Sequence, residues 1–93
     1  MKEEITPSEE ELLTAIGETV NYSLGGHYSK QEISKRLSPN TKNNPKRMKR
    51  IDRAYTKLRT KQLIQKHPSE EMTYGLTRNG LNYLRELKKG NVK

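Results

Sequence analysis

Between Asn44 and Lys61 the chain carries a pattern that a helix satisfies and a strand does not. Met48, Ile51, Tyr55 and Leu58 recur at intervals of 3, 4 and 3 residues, which gathers them into one apolar seam. Successive helical residues lie about 100° apart. With Met48 at zero, the seam centres at about 320°, while Lys46, Lys49, Arg50, Arg53 and Lys57 fall between about 100° and about 200°. Asn44 is suited to cap such a helix and Pro45 to its first position. A helix over about 45–61 is therefore predicted, packed on one face and cationic on the other. The rest of the chain has to cover that seam and leave that face outside.

The material for covering it is limited. Only 29% of the 93 residues are hydrophobic, with no Phe and no Trp. That supports one small domain over 1–93 with a thin core, frayed at 1–5 and 90–93. A first helix opens at Thr6, with Pro7 behind it and Glu9 closing a T-x-x-E capping box. Glu9, Glu10 and Glu11 read as compensation of the helix dipole, since adjacent helical positions do not converge on one atom. Leu12, Leu13, Ile16 and Val20 form its apolar stripe, and Gly25-Gly26 is the strongest breaker after it.

A second helix starts at Ser29, where Ser29 and Glu32 repeat the capping pattern, and Pro39 is expected to stop it. Residues 38–44 read as a polar turn. Beyond the cationic helix the period shortens: Leu63 to Lys66 and Met72 to Leu76 read as two strands joined by a polar tip at HPSEE. Thr77 then caps a last helix with Leu81, Leu84 and Leu87 on one side. Gly80 within it suggests a close backbone neighbour.

Charge is unevenly distributed. From Met1 to Val20 one Lys faces six Glu, whereas from Lys42 to Lys66 ten Lys or Arg face Asp52 alone, within a net charge of +8. Concentrated cations on one helix point to a polyanionic partner. No Cys is present, which removes disulfide and thiolate chemistry. No apolar run reaches membrane length and the N-terminus lacks a signal-like core, so no membrane partner and a cytoplasmic, nucleoid- or plasmid-associated location are expected. His27 and His67 stand 40 positions apart in loops, no Ser/His/Asp order is apparent, and no Gly-rich phosphate loop follows a strand. No enzyme, metal or cofactor is expected.

The order helix, helix, basic helix, two-stranded hairpin, helix resembles the winged helix-turn-helix families of small prokaryotic regulators, above all the PadR-like and MarR-like groups. YSKQEISKRL (28–37), KRIDRAYTKLRTKQLIQK (49–66) and YGLTRNGLNYLRELKK (74–89) carry the likeness. The last is similar to the Y-x-L-T-x-x-G-x-x-x-L phrase that closes the wing in those families. The fold class implied is mainly α with a small β-hairpin. The acidic tip, Glu70 and Glu71, departs from the basic wing tips of many relatives. In size and general character the chain is also similar to the small centromere-binding adaptors of archaeal plasmid partition systems.

The resemblance implies double-stranded DNA as partner, with the basic helix in the major groove. Asn43, Lys46, Arg47 and Arg50 are then the candidates for base contacts. Tyr28, Ser29, Lys30, Gln31, Lys42, Lys49, Arg53, Lys57 and Lys66 are candidates for phosphate contacts. Adjacent Leu12 and Leu13 point in different directions, so apolar excess on the first and last helices is expected to build a homodimer. Leu12, Leu13, Ile16, Leu81, Leu84 and Leu87 would form its surface, giving a palindromic site. Control of transcription is the leading role. Centromere binding in a partition system, an RNA-binding module and a protein-interaction adaptor that uses the acidic helix or the wing are the alternatives.

Overall fold

The first helix begins as its capping box predicts: Thr6 Oγ1 accepts from Glu9 N–H, and the Glu9 side chain accepts from Thr6 N–H. The computed structural model describes residues 5–67 and 72–91, the last four by backbone alone. Its elements run α1 (Pro7–Thr19), β1 (Tyr28–Ser29), α2 (Lys30–Ser34), α3 (Pro39–Lys42), α4 (Pro45–Thr60), β2 (Ile64–His67), β3 (Thr73–Leu76) and α5 (Arg78–Asn91). The molecule is mainly helical, with one small three-stranded antiparallel sheet.

Two elements are additional to those expected from the sequence. The expected polar turn at 38–44 contains α3, where Ser38 caps and Pro39 occupies the first turn. Pro39 therefore opens α3, whose first turn its fixed φ suits, whereas α2 already ends at Ser34, five residues earlier, so Pro39 is not what stops it. The other addition is β1. It pairs with β3 on the side opposite β2, giving the order β1-β3-β2 with Tyr28 opposite Tyr74 and Ile64 opposite Leu76. The two-stranded hairpin is thus the larger part of a three-stranded sheet.

The core draws on nearly every element. Leu12, Leu13 and Ile16 of α1 meet Ile33, Ile51, Leu58, Leu76 and Leu84 in one apolar cluster. Leu12 and Leu13 are both wholly inaccessible, which corrects the expectation that one of them would face a second subunit. α1 is covered on two sides, by α4 and the sheet and by α5, so adjacent residues pointing in different directions can both be buried. Leu81 and Leu84 are likewise buried and Leu87 packs against the same cluster. Of the expected dimer surface, Leu12, Leu13, Ile16, Leu81 and Leu84 are interior to one chain and Leu87 is half-buried.

Glycines act here through size more than through conformation. None has positive φ; the left-handed positions are Asn21, Tyr22 and Gln62. Asn21 and Tyr22 turn the chain out of α1, where Tyr22 N–H reaches Gly17 O and Asn21 N–H reaches Glu18 O. Gly25-Gly26, the strongest breaker after α1, lies beyond the residues that turn the chain there. A side chain at Gly80 would strike the Leu63 carbonyl, and one at Gly75 the Gly26 carbonyl. α5 and the loop before β1 lie against backbone at those two points. Ile5 packs on the core, and Gly90 and Asn91 continue α5. The expected fraying at 1–4 and 92–93 and the acidic tip at Glu70 and Glu71 lie outside the described residues.

Candidate nucleic-acid interface

α4 is capped by Asn44, whose Oδ1 accepts from Lys46 N–H at 3.0 Å and Arg47 N–H at 3.2 Å. Its inner side buries Ile51, Ala54, Tyr55 and Leu58, with Met48 half-buried at the margin. Lys46, Lys49, Arg50, Arg53 and Lys57 are all exposed on the other side. Among the described residues none of these five makes an ion pair. Such a row of unneutralised cations raises the potential along one face and attracts phosphate.

The remaining predicted contacts flank this face unevenly. Asn43, the C-cap of α3, and Lys42 in its last turn are exposed just ahead of α4. Arg47 and Arg50 line a trough shared with Ser8, Glu11 and Thr41. Arg50, Arg53 and Lys57 line a second trough against Thr6 and Ser8 at the start of α1. Tyr28 is 42% exposed at the sheet edge, and Lys66 is half-buried on β2. Ser29 Oγ accepts from Glu32 N–H, so this hydroxyl serves as a cap. Gln31 is exposed. The Lys30 ammonium lies 4.7 Å from the centre of the Tyr55 ring and 5.9 Å from that of Tyr74. Part of its charge is therefore held over two aromatic faces.

Three features escaped the sequence. The carboxylates of α1 do more than offset its dipole. Glu9 is buried and its Oε1 accepts from Lys61 Nζ at 2.8 Å, while its Oε2 is buried with no hydrogen-bond partner. Burial pushes this carboxyl up, but hydrogen bonds from Lys61 and Thr6 and the nearby ammonium charges of Lys61 and Lys57 outweigh it. Glu9 consequently sits below the ordinary carboxylate value. Glu11 accepts from Ser38 and Thr41. Neither pairing is local, and no motif of adjacent residues announces it.

The third is on the sheet. His27 and His67 stack with ring centres 4.1 Å apart and 4° between planes, and His27 Nδ1 lies 2.8 Å from Thr73 Oγ1. Their sequence separation hid a juxtaposition that the β1-β3-β2 order creates. Among the described residues no group of three or more His, Cys, Asp or Glu gathers to hold a metal. No described helix is long and apolar enough to cross a membrane. Tyr55 is buried on the seam, where burial first, then Tyr74 and Asp52, push its hydroxyl above the ordinary tyrosine value.

Comparison with known proteins adds no relative: no family model, no curated protein and no solved structure matches this chain.

Proposed function

We propose that this chain is a winged helix-turn-helix domain that binds double-stranded DNA with α4 in the major groove. The observation that carries the reading is the row of five exposed cations on α4, without ion-pair partners among the described residues and directly opposite the buried seam. A helix with one packed side and one cationic side suits groove insertion. The order of elements supports it as well: a helix, a short strand, three helices of which the last is the cationic one, a hairpin and a closing helix. In this reading Lys46, Arg47, Arg50 and Asn43 meet base edges. Lys42, Lys49, Arg53, Lys57, Tyr28, Gln31 and Lys66 meet phosphates. Lys30 and Ser29 contribute less, since each is engaged within the domain. Control of transcription is the role that suits a small sequence reader.

One domain presents one α4. Because Leu12, Leu13, Ile16, Leu81 and Leu84 are closed inside it, a two-fold pair requires a surface other than those side chains. Selection of bound duplexes from a random pool tests both points. An enriched sequence supports the reading, and its symmetry reports whether one copy or two bind. With that duplex, Lys57→Ala should lower the salt slope by about one unit and weaken all sequences alike. Arg50→Ala should cost about 1–3 kcal/mol and relax preference at one base pair. Parent-like binding by both variants would remove α4 from the DNA. Equal or tighter binding to single-stranded RNA at matched salt would favour the RNA-binding class instead.

A further inference from the structure

We infer that Glu11 is a positioning residue for sequence reading: from α1 it clamps the α3–α4 junction and so sets where the first turn of α4 lies. This inference rests on the DNA reading above. Ser38 N–H and Ser38 Oγ both donate to Glu11 Oε2 at 3.2 Å, and Thr41 Oγ1 donates to Glu11 Oε1 at 2.9 Å. Both carboxylate oxygens are thus bound to α3, across 27 and 30 residues of sequence. Thr41 is 1% exposed, so its hydroxyl is anchored inside the molecule.

The clamp grips the segment that precedes the candidate base contacts. α3 ends at Lys42, Asn43 closes it and Asn44 caps α4. Two residues therefore separate the α3 helix from the α4 helix, too few to absorb a shift. A displacement of α3 passes directly to Asn43, Lys46 and Arg47. The trough that holds Glu11 and Thr41 is also lined by Arg47 and Arg50, which places the clamp beside two of the four candidate readers. Base recognition depends on side chains reaching fixed donors and acceptors, whereas phosphate attraction tolerates a shift.

The carboxylate has two separable properties, shape and charge. A Gln side chain keeps the shape. Its Oε1 can accept both Ser38 donors while its amide donates to the Thr41 hydroxyl, which is free to rotate. An Ala side chain keeps neither.

The test uses the full chain with a duplex enriched from the random pool and an unrelated duplex of equal length. Glu11→Ala should lose about tenfold of the ratio between them, while its affinity for the unrelated duplex stays within about threefold of the parent. Glu11→Gln should restore the parental ratio. A parental ratio in Glu11→Ala, or an equal loss in both variants, overturns the clamp. Should Glu11→Ala not fold, Thr41→Val removes one arm and the same ratio decides. A parent that prefers no duplex refutes the DNA reading and leaves the clamp to hydrogen exchange. The amides of Asn43, Asn44, Lys46 and Arg47 should then exchange faster in Glu11→Ala than in Glu11→Gln, and equal rates overturn it.

Discussion

α1, whose charged residues are all acidic, and α4, which is strongly basic, use charge in opposite ways. On α1, Glu9 and Glu11 turn towards the molecule, one onto Lys61 and one onto Ser38 and Thr41. On α4, five cations turn outward, without ion-pair partners among the described residues. A charge taken from water has to be met inside, or it destabilises the fold. A charge left in water costs little and remains available to something outside. The difference separates residues that build the domain from residues it presents.

The sharpest way to break this contrast is a double reversal on α4. Lys49→Glu with Arg53→Glu should lower affinity for duplex DNA by about two orders of magnitude at low salt. The melting temperature should change little, because both side chains are exposed. A large loss of stability would place those cations in the structural class with Lys61.

The converse change is Lys61→Met, which leaves the Glu9 carboxylate buried beside an apolar neighbour. A loss of about 2 kcal/mol in unfolding free energy is expected from urea titration. DNA binding by the folded fraction should change by no more than one phosphate contact.

The same pair gives a pH signature. Glu9 is held below the ordinary value of 4.5. Its stabilising contribution is therefore complete above that value and lost as pH falls through the lower folded one. Thermal melts between about pH 7 and about pH 2 should show this acid loss, and Glu9→Gln should make that limb shallower. An unchanged acid limb would mean that Lys61 does not hold the carboxylate in solution.

The smallest expected effect lies where α4 ends. Gln62 has φ of 62°, and Leu63 N–H reaches Leu58 O while Gln62 N–H reaches Arg59 O. This is a left-handed cap made without glycine. Gln62→Gly should stabilise the domain by about 0.5–1 kcal/mol, with DNA affinity unchanged.

What the sequence made legible was local. The Thr6–Glu9 box, the Asn44–Pro45 start and the Met48–Leu58 seam each depend on neighbours within one or two helical turns, and each appears as read. Thr77, read as the cap of the last helix, accepts from Gly80 N–H. Apart from α3, a four-residue helix read as a polar turn, the missed features are long-range. Glu9 meets a partner 52 residues away and Glu11 partners 27 and 30 away. β1 has only two residues, too few for alternation to register, and its pairing with β3 brings His27 to His67. Leu12, Leu13, Ile16, Leu81 and Leu84, read as a dimer surface, are interior for a related reason. Residue directions on α1 were legible, but the number of elements packed around it was not.

A consequence follows from the bare face of α4. Since Lys46, Lys49, Arg50 and Arg53 make no ion pair among the described residues, substitutions at those four cost the fold little. Over generations those positions can change one at a time with the domain foldable at each step. The seam beneath, with Ile51, Ala54, Tyr55 and Leu58, is the part of the helix that inheritance has to keep.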